Sequence, residues 1–171
     1  KNHRKEQELL EKACSLDAQN PEYFAALAKS HAIQAEMNNA FILAEQAAKM
    51  ENHNAMSADA LGVVYGRLSL HKEASKWFLR ATDIEKNNPG IYFNLGSTLK
   101  FCGDFEGARR AFEQAISLNY TFYKAHAALT SLGGITVENN HIETLKLLLH
   151  GITHNDDYLY ISHALSKELE A

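Results

Sequence analysis

The sequence has few of the residues that interrupt helices or crosslink chains. Only two prolines and two cysteines occur among its 171 residues. Pro21 and Pro89 each stand at the start of an apolar pattern, where the first turn of a helix tolerates proline. Val, Ile and Thr rarely alternate with polar residues, so strands are not indicated. These scarcities favour a chain built from helices.

Several classes of partner lack a signal in this sequence. The formal net charge is −4 and no long run of one sign occurs, which argues against nucleic acid or an anionic membrane surface. No apolar run is long enough to span a bilayer, and the start has no apolar signal core. Cys14 and Cys102 lie far apart, which favours two reduced thiols. We therefore expect a cytoplasmic protein with neither a nucleic-acid nor a membrane partner.

Catalytic and metal motifs are also missing. The chain has no GxSxG sequence for a nucleophilic serine. Gly133-Gly134 follows a helical pattern instead of a strand, so it indicates a turn and not a phosphate-binding loop. Among nine histidines, His150 and His154 with Asp156-Asp157 form the densest set, and a polar loop is the favoured interpretation. We expect no enzyme activity, no cofactor and no metal.

One pattern recurs at a spacing of 34 residues. It is clearest from Pro89 to Phe122, where two amphipathic helical patterns flank the turn Gly103-Asp104. At the equivalent turn the glycine is replaced by Ser69, which leaves the shape of that turn open. The recurring apolar positions are Ala13, Ala47, Ala81 and Ala115; Leu27, Leu61, Leu95 and Leu129; and Ala40, Ala74 and Ala108.

This arrangement resembles the tetratricopeptide repeat (TPR) family, which has Leu-Gly, Gly-Asp-Phe, Ala, Phe and Ala at the same spacing. The residues that carry the resemblance are Leu95, Gly96, Gly103, Asp104, Phe105, Ala108, Phe112 and Ala115. It implies an all-α fold, a right-handed superhelix of antiparallel helix pairs. We expect a single TPR domain over residues 1–171. Its parts are a half repeat at 1–20, regular repeats at 21–54, 55–88 and 89–122, a divergent repeat at 123–155 and a terminal helix at 156–171.

The resemblance implies a scaffold that binds a protein or peptide in a concave groove lined by the first helix of each repeat. Phe93 and Phe101 are expected as exposed apolar anchors, and Asn94 as a backbone clamp. One TPR subtype clamps chaperone carboxylates with Lys and Asn residues, but only Lys29 and Asn94 match its positions, which disfavours it. The expected groove residues are Lys29, Asp59, Val63, Arg67, Phe93, Asn94, Ser97, Lys100, Phe101 and Lys124.

The last helical pattern predicts a second kind of surface. Asp156-Asp157 is expected as its N-cap. A terminal helix without a partner leaves an apolar stripe uncovered, and a second copy of the chain is one expected occupant. The residues expected to be exposed on that stripe are Tyr158, Leu159, Ile161 and Leu165.

The C-terminal stretch supports an alternative function. The segment HALSKELE at residues 163–170 is similar to the end of the TPR arm in bacterial TPR-sulfotransferase proteins. That resemblance implies an N-terminal accessory arm, followed beyond Ala171 by a catalytic domain that uses a phosphoadenosine-type sulfate donor. The chain also opens within a helical pattern, so we expect it to be part of a longer protein.

Overall fold

The helices that the sequence predicts are present in the structure. The computed structural model describes residues 2–134 and 140–170, and within these ranges every regular element is an α-helix. The prediction of an all-α protein is therefore confirmed. The chain forms two compact units, residues 1–86 and 87–171, and each is described by itself.

The first unit contains stacked pairs of helices. Its helices are α1 (Asn2–Leu16), α2 (Pro21–Ile33), α3 (Met37–Ala48), α4 (Ala55–Arg67) and α5 (His71–Ile84). The pairs α2/α3 and α4/α5 are joined by short turns and pack together, and α2 also packs against α1 and α4. Because short turns join packed helices, each pair is antiparallel.

The second unit begins with a pair of the same kind and then departs from it. Its helices are α6 (Pro89–Phe101), α7 (Phe105–Leu118), α8 (Tyr123–Thr130), α9 (Ile142–Gly151) and α10 (Asn155–Leu169). The pair α6/α7 packs closely, α7 contacts α8, and α10 packs against both α8 and α9. The turn that the sequence predicts at Gly133-Gly134 is followed by residues 135–139, which lie outside the described residues.

The first helix of each regular pair starts at an asparagine. The side chains of Asn20, Asn54 and Asn88 accept hydrogen bonds from the first-turn amides of α2, α4 and α6. Asparagine is among the best residues at this position because its oxygen binds an amide that the helix leaves unpaired. At the same place before α8 stands Phe122, which provides no such bond, and α8 has only 8 residues.

The turn inside each regular pair has one conformation. Ala35, Ser69 and Gly103 all have left-handed backbone, with φ of 63°, 61° and 82°. The amide that follows each of them bonds back to a carbonyl five residues earlier, at 2.9 to 3.0 Å. This is the hydrogen-bonding pattern of a helix C-terminus closed by glycine. The serine at position 69 therefore keeps the turn shape and adopts a conformation that suits glycine better.

In the pairs α4/α5 and α6/α7, close packing depends on one glycine. A Cβ atom added to Gly96 would lie 2.7 Å from the ring of Phe112, and one added to Gly62 would lie 2.7 Å from Phe78. At the equivalent positions of the first pair, Ala28 and Ala44 are both fully buried. A large partner thus coincides with glycine, and a small partner with alanine.

The C-terminal helices correct three expectations. Asp156-Asp157 lies in the first turn of α10, whose N-cap is His154, so the predicted cap is wrong. Ile161 is fully buried and Leu165 packs against the core formed by α9 and α10, so neither belongs to an exposed stripe. Tyr158 and Leu159 are exposed, as the pattern predicts. The apolar side of α10 is covered because the helix packs against both α8 and α9.

Candidate peptide-binding face

The predicted groove residues of the first unit lie on its first helices, α2 and α4. Lys29 Nζ on α2 donates to Asp59 Oδ2 on α4 at 3.2 Å, which ties the two helices together. Val63 lies one turn after Asp59 on α4 and is half-buried. Since Lys29 and Asp59 are both partly shielded from solvent, their ion pair contributes more than a fully exposed one does.

Arg67 lies at the end of α4 and reaches back to α2. Its Nη1 donates to the carbonyl of Ala32 at 3.5 Å, near the C-terminal end of α2. A cation at this end is favoured by the partial negative charge of the helix dipole. The exposed guanidinium keeps most of its donors available for other acceptors.

In the second unit the expected anchor Phe93 is partly buried, and so less exposed than the sequence predicts. Its ring lies 5.8 Å from the ring of Phe112 and 5.2 Å from that of Phe122. It packs against the buried cluster that Phe112 and Leu129 share. The ring of Phe93 is therefore partly covered by its neighbours.

Phe101 is the apolar residue that α6 leaves at the surface, 72% exposed at the end of the helix. Ser97, one turn earlier, donates its hydroxyl to the carbonyl of Phe93 at 2.9 Å, so that donor is already used. Asn94 is half-buried. Of the two predicted aromatic anchors, only Phe101 presents its ring to solvent.

Lys100 and Lys124 take part in different local structures. Lys100 Nζ donates to Ser131 Oγ at 2.8 Å, at the C-terminal end of α8. Lys124 Nζ lies 5.6 Å from the centre of the Tyr160 ring, in a cation–π contact. Lys124 and Tyr160 also line an open cleft of about 590 Å³, together with Thr153, His154, Asn155, Asp156 and Asp157.

Lys167 also lies beside Ser131, and the sequence analysis did not predict this position. Its Nζ donates to the carbonyl of Ser131 at 3.4 Å, next to the hydroxyl that Lys100 contacts. The sequence gives no indication of this position for Lys167, because the 34-residue spacing is lost after Gly133. Only the packing of α10 against α8 places Lys167 beside Lys100.

Two buried histidines have lowered pKa values. Burial lowers the pKa of His53, and the charge of Arg80 lowers it further. The ring of His53 packs edge-on against Trp77, with 4.7 Å between ring centres, so Trp77 has a packing role here. Burial also lowers the pKa of His126, whose Nε2 lies 2.9 Å from the carbonyl of Tyr120.

Three further features of the described residues concern metal binding, membrane spanning and the two cysteines. Within 2–134 and 140–170, no group of three or more His, Cys, Asp or Glu side chains is placed to hold a metal ion. None of the helices described is both long enough and apolar enough to cross a membrane. Cys14 is buried and Cys102 is exposed, and both thiols are free.

Comparison with known proteins bears on the fold. Residues 89–122 match the family model described as a tetratricopeptide repeat. No curated protein matches the sequence.

Three solved structures resemble the chain over most of its length. pilF from Pseudomonas aeruginosa is 20% identical with a TM-score of 0.75, covering 99% of this chain and 78% of that one. YrrB, a TPR protein with an unusual peptide-binding site, is 18% identical with a TM-score of 0.72, covering 96% and 84%. A thermophilic TPR protein from Thermus thermophilus is 16% identical with a TM-score of 0.68, covering 96% and 91%. At such low identities the likeness concerns the fold alone.

Proposed function

We propose that this chain is a non-catalytic scaffold that binds a protein or peptide segment. Two observations support this: the chain has the all-helical fold of tetratricopeptide repeat proteins, and residues 89–122 match a repeat of that family. The segment would lie along the first helices of the repeats, on the residues that the sequence predicts. YrrB, which shares the fold, is a TPR protein with a peptide-binding site, and this supports the proposal. A cytoplasmic location, inferred from the sequence, goes with it.

One observation carries the proposal further than the fold does. Phe101 is 72% exposed on the first helix of the repeat that matches the family. An aromatic ring at a surface offers a large apolar contact area at a small cost in side-chain entropy. Asn94, Ser97 and Lys100 on the same helix add polar groups around it.

Panning of a phage-displayed library of random peptides on the immobilised protein tests this function. Peptides enriched on the wild type are then measured against Phe101→Ala and against Leu147→Ala. Leu147 is a matched control because it is 68% exposed on α9, the second helix of its pair. We expect binding to be lost with Phe101→Ala and kept with Leu147→Ala, and the helical circular dichroism signal to be unchanged in both. Enriched peptides that bind both variants as they bind the wild type would move the site away from α6.

The alternative of an accessory arm of a sulfotransferase remains a prediction from the C-terminal resemblance. The segment that carries it forms α10, which buries Ile161, Ala164 and Glu168 in the second unit. Such a helix is consistent with an arm that ends a repeat array. Sequencing the reading frame beyond Ala171 tests this alternative, since a strand followed by a phosphate-binding loop would support it.

A further inference from the structure

Three cationic side chains from three helices converge on the C-terminal end of α8. Lys100 on α6 donates to Ser131 Oγ at 2.8 Å, and Lys167 on α10 donates to Ser131 O at 3.4 Å. Arg109 on α7 donates through Nη2 to Gly133 O at 2.8 Å. We refer to Lys100, Arg109 and Lys167 as the cation cluster.

Within the part of the chain that the structure describes, the cation cluster has no acidic counterpart. None of its three members forms an ion pair there with an Asp or Glu side chain. The nearest acid in sequence, Glu168, points inward and accepts hydrogen bonds from His141 at the start of α9. The carbonyls at the end of α8 offset only part of the positive charge, because a helix end carries about half an elementary charge.

The donors of the cluster are only partly used. Each lysine ammonium has three N–H donors, and Lys100 and Lys167 each use one of them on Ser131. Lys100 is half-buried, so its charge is less well solvated than that of an exposed lysine. Lys167 is exposed, and its ammonium group lies beside the same residue as that of Lys100, so the two groups can each donate to one oxygen of a carboxylate.

We propose that the cation cluster binds an acidic side chain of the partner segment, so that the ligand of this protein is an acidic peptide. The proposal rests on the proposed function and adds the chemistry of its partner. Phe101 directly follows Lys100 and is 72% exposed, which favours a protein segment with an apolar residue beside the acid over a free anion. The residues involved differ from the clamp positions considered in the sequence, Lys29 and Asn94.

A purely structural role for the lysines, as caps of α8, makes a different prediction. Ser131→Ala removes the hydroxyl that accepts from Lys100 and leaves every charge of the cluster in place. If the lysines serve the ligand, this variant binds an acidic peptide within about twofold of the wild type. If the lysines only stabilise the C-terminal end of α8, Ser131→Ala and Lys100→Gln lower the thermal midpoint by similar amounts, and neither variant changes peptide binding.

The test uses two fluorescein-labelled peptides, Glu-Glu-Phe-Glu-Glu and its neutral counterpart Gln-Gln-Phe-Gln-Gln, and measures fluorescence anisotropy. We expect the acidic peptide to bind and the neutral one to bind at least tenfold more weakly. Lys100→Gln and Lys167→Gln should each weaken the acidic peptide about tenfold, the loss typical of a charge-assisted hydrogen bond. The control Lys146→Gln should change nothing, because Lys146 is exposed and already paired with Glu143.

Three results would overturn the proposal. These are equal binding of both peptides, unchanged binding by both lysine variants, and full displacement of the acidic peptide by an equal concentration of inorganic phosphate. The last result would indicate a site for free anions. A further outcome separates the two proposals. If peptides from the random library bind through Phe101, contain no acidic residue and bind Lys100→Gln as they bind the wild type, only the acidic ligand is refuted and the proposed scaffold function stands.

Discussion

Substitution of Gly96 by alanine tests how the repeat packs. Alanine normally stabilises a helix relative to glycine by about 1 kcal/mol, because glycine is freer in the unfolded chain. At this position the added Cβ would lie 2.7 Å from one ring carbon of Phe112, 2.8 Å from another and 3.1 Å from the carbonyl of Ala108. Carbon atoms do not approach so closely without displacement, so Phe112 or the helix backbone must move.

The size of the effect follows from the surroundings of Phe112. The ring is 1% exposed and packs against Phe93 and Leu129, so it has little room to turn. Overpacking of such a core costs about 1–3 kcal/mol. After the gain in helix propensity of about 1 kcal/mol, we expect Gly96→Ala to destabilise the protein by up to about 2 kcal/mol. For a chain of this length that lowers the thermal midpoint by up to about 8 °C.

Thermal and urea unfolding followed by circular dichroism measure the effect, with Gly66→Ala as the control. A Cβ added to Gly66 meets only Ala74 Cβ at 4.0 Å, an ordinary contact, so that variant should be more stable than the wild type. Phe112→Leu combined with Gly96→Ala should lose less stability than the sum of the single changes, because the smaller side chain relieves the clash. If Gly96→Ala is as stable as Gly66→Ala, the close approach of the two helices is refuted.

Three further predictions follow from local geometry. Ser69→Gly and Ala35→Gly should each stabilise the protein by about 1 kcal/mol, seen as a higher urea midpoint, because both residues have positive φ. The pKa values of His53 and His126 are lowered in the folded protein, so the unfolded chain binds protons more readily. Stability should therefore fall as pH drops below about 6.5, and His126→Asn should flatten the curve of thermal midpoint against pH. If a second copy packs on α10, Leu159→Asp should reduce the mass seen by light scattering, because Leu159 is 67% exposed; an unchanged mass would exclude this surface.

Much of the fold was predictable because the packing of the paired helices is local and periodic. The 34-residue spacing marks the positions where paired helices touch, such as Gly96 and Phe112. The same spacing marks the asparagine caps Asn20, Asn54 and Asn88. Each of these positions depends on residues one or two turns away or in the adjoining helix, so the sequence alone carries the information.

The candidate site was less predictable because surface residues have no period of their own. Phe93 and Phe101 both look like exposed anchors in the sequence, yet Phe93 packs between Phe112 and Phe122. A single helix pattern cannot distinguish them, since the difference lies in which neighbour covers each ring.

The sequence by itself determined the helices, their pairing and the close contact inside each regular repeat. Only the tertiary structure decided that Lys100 and Lys167, far apart in the chain, meet at Ser131. It also decided that Ile161 is buried while Leu159 stays exposed on the same helix. The physical reason is that the spacing lapses after Gly133, so the position of α10 follows from its packing against α8 and α9 and not from the repeat.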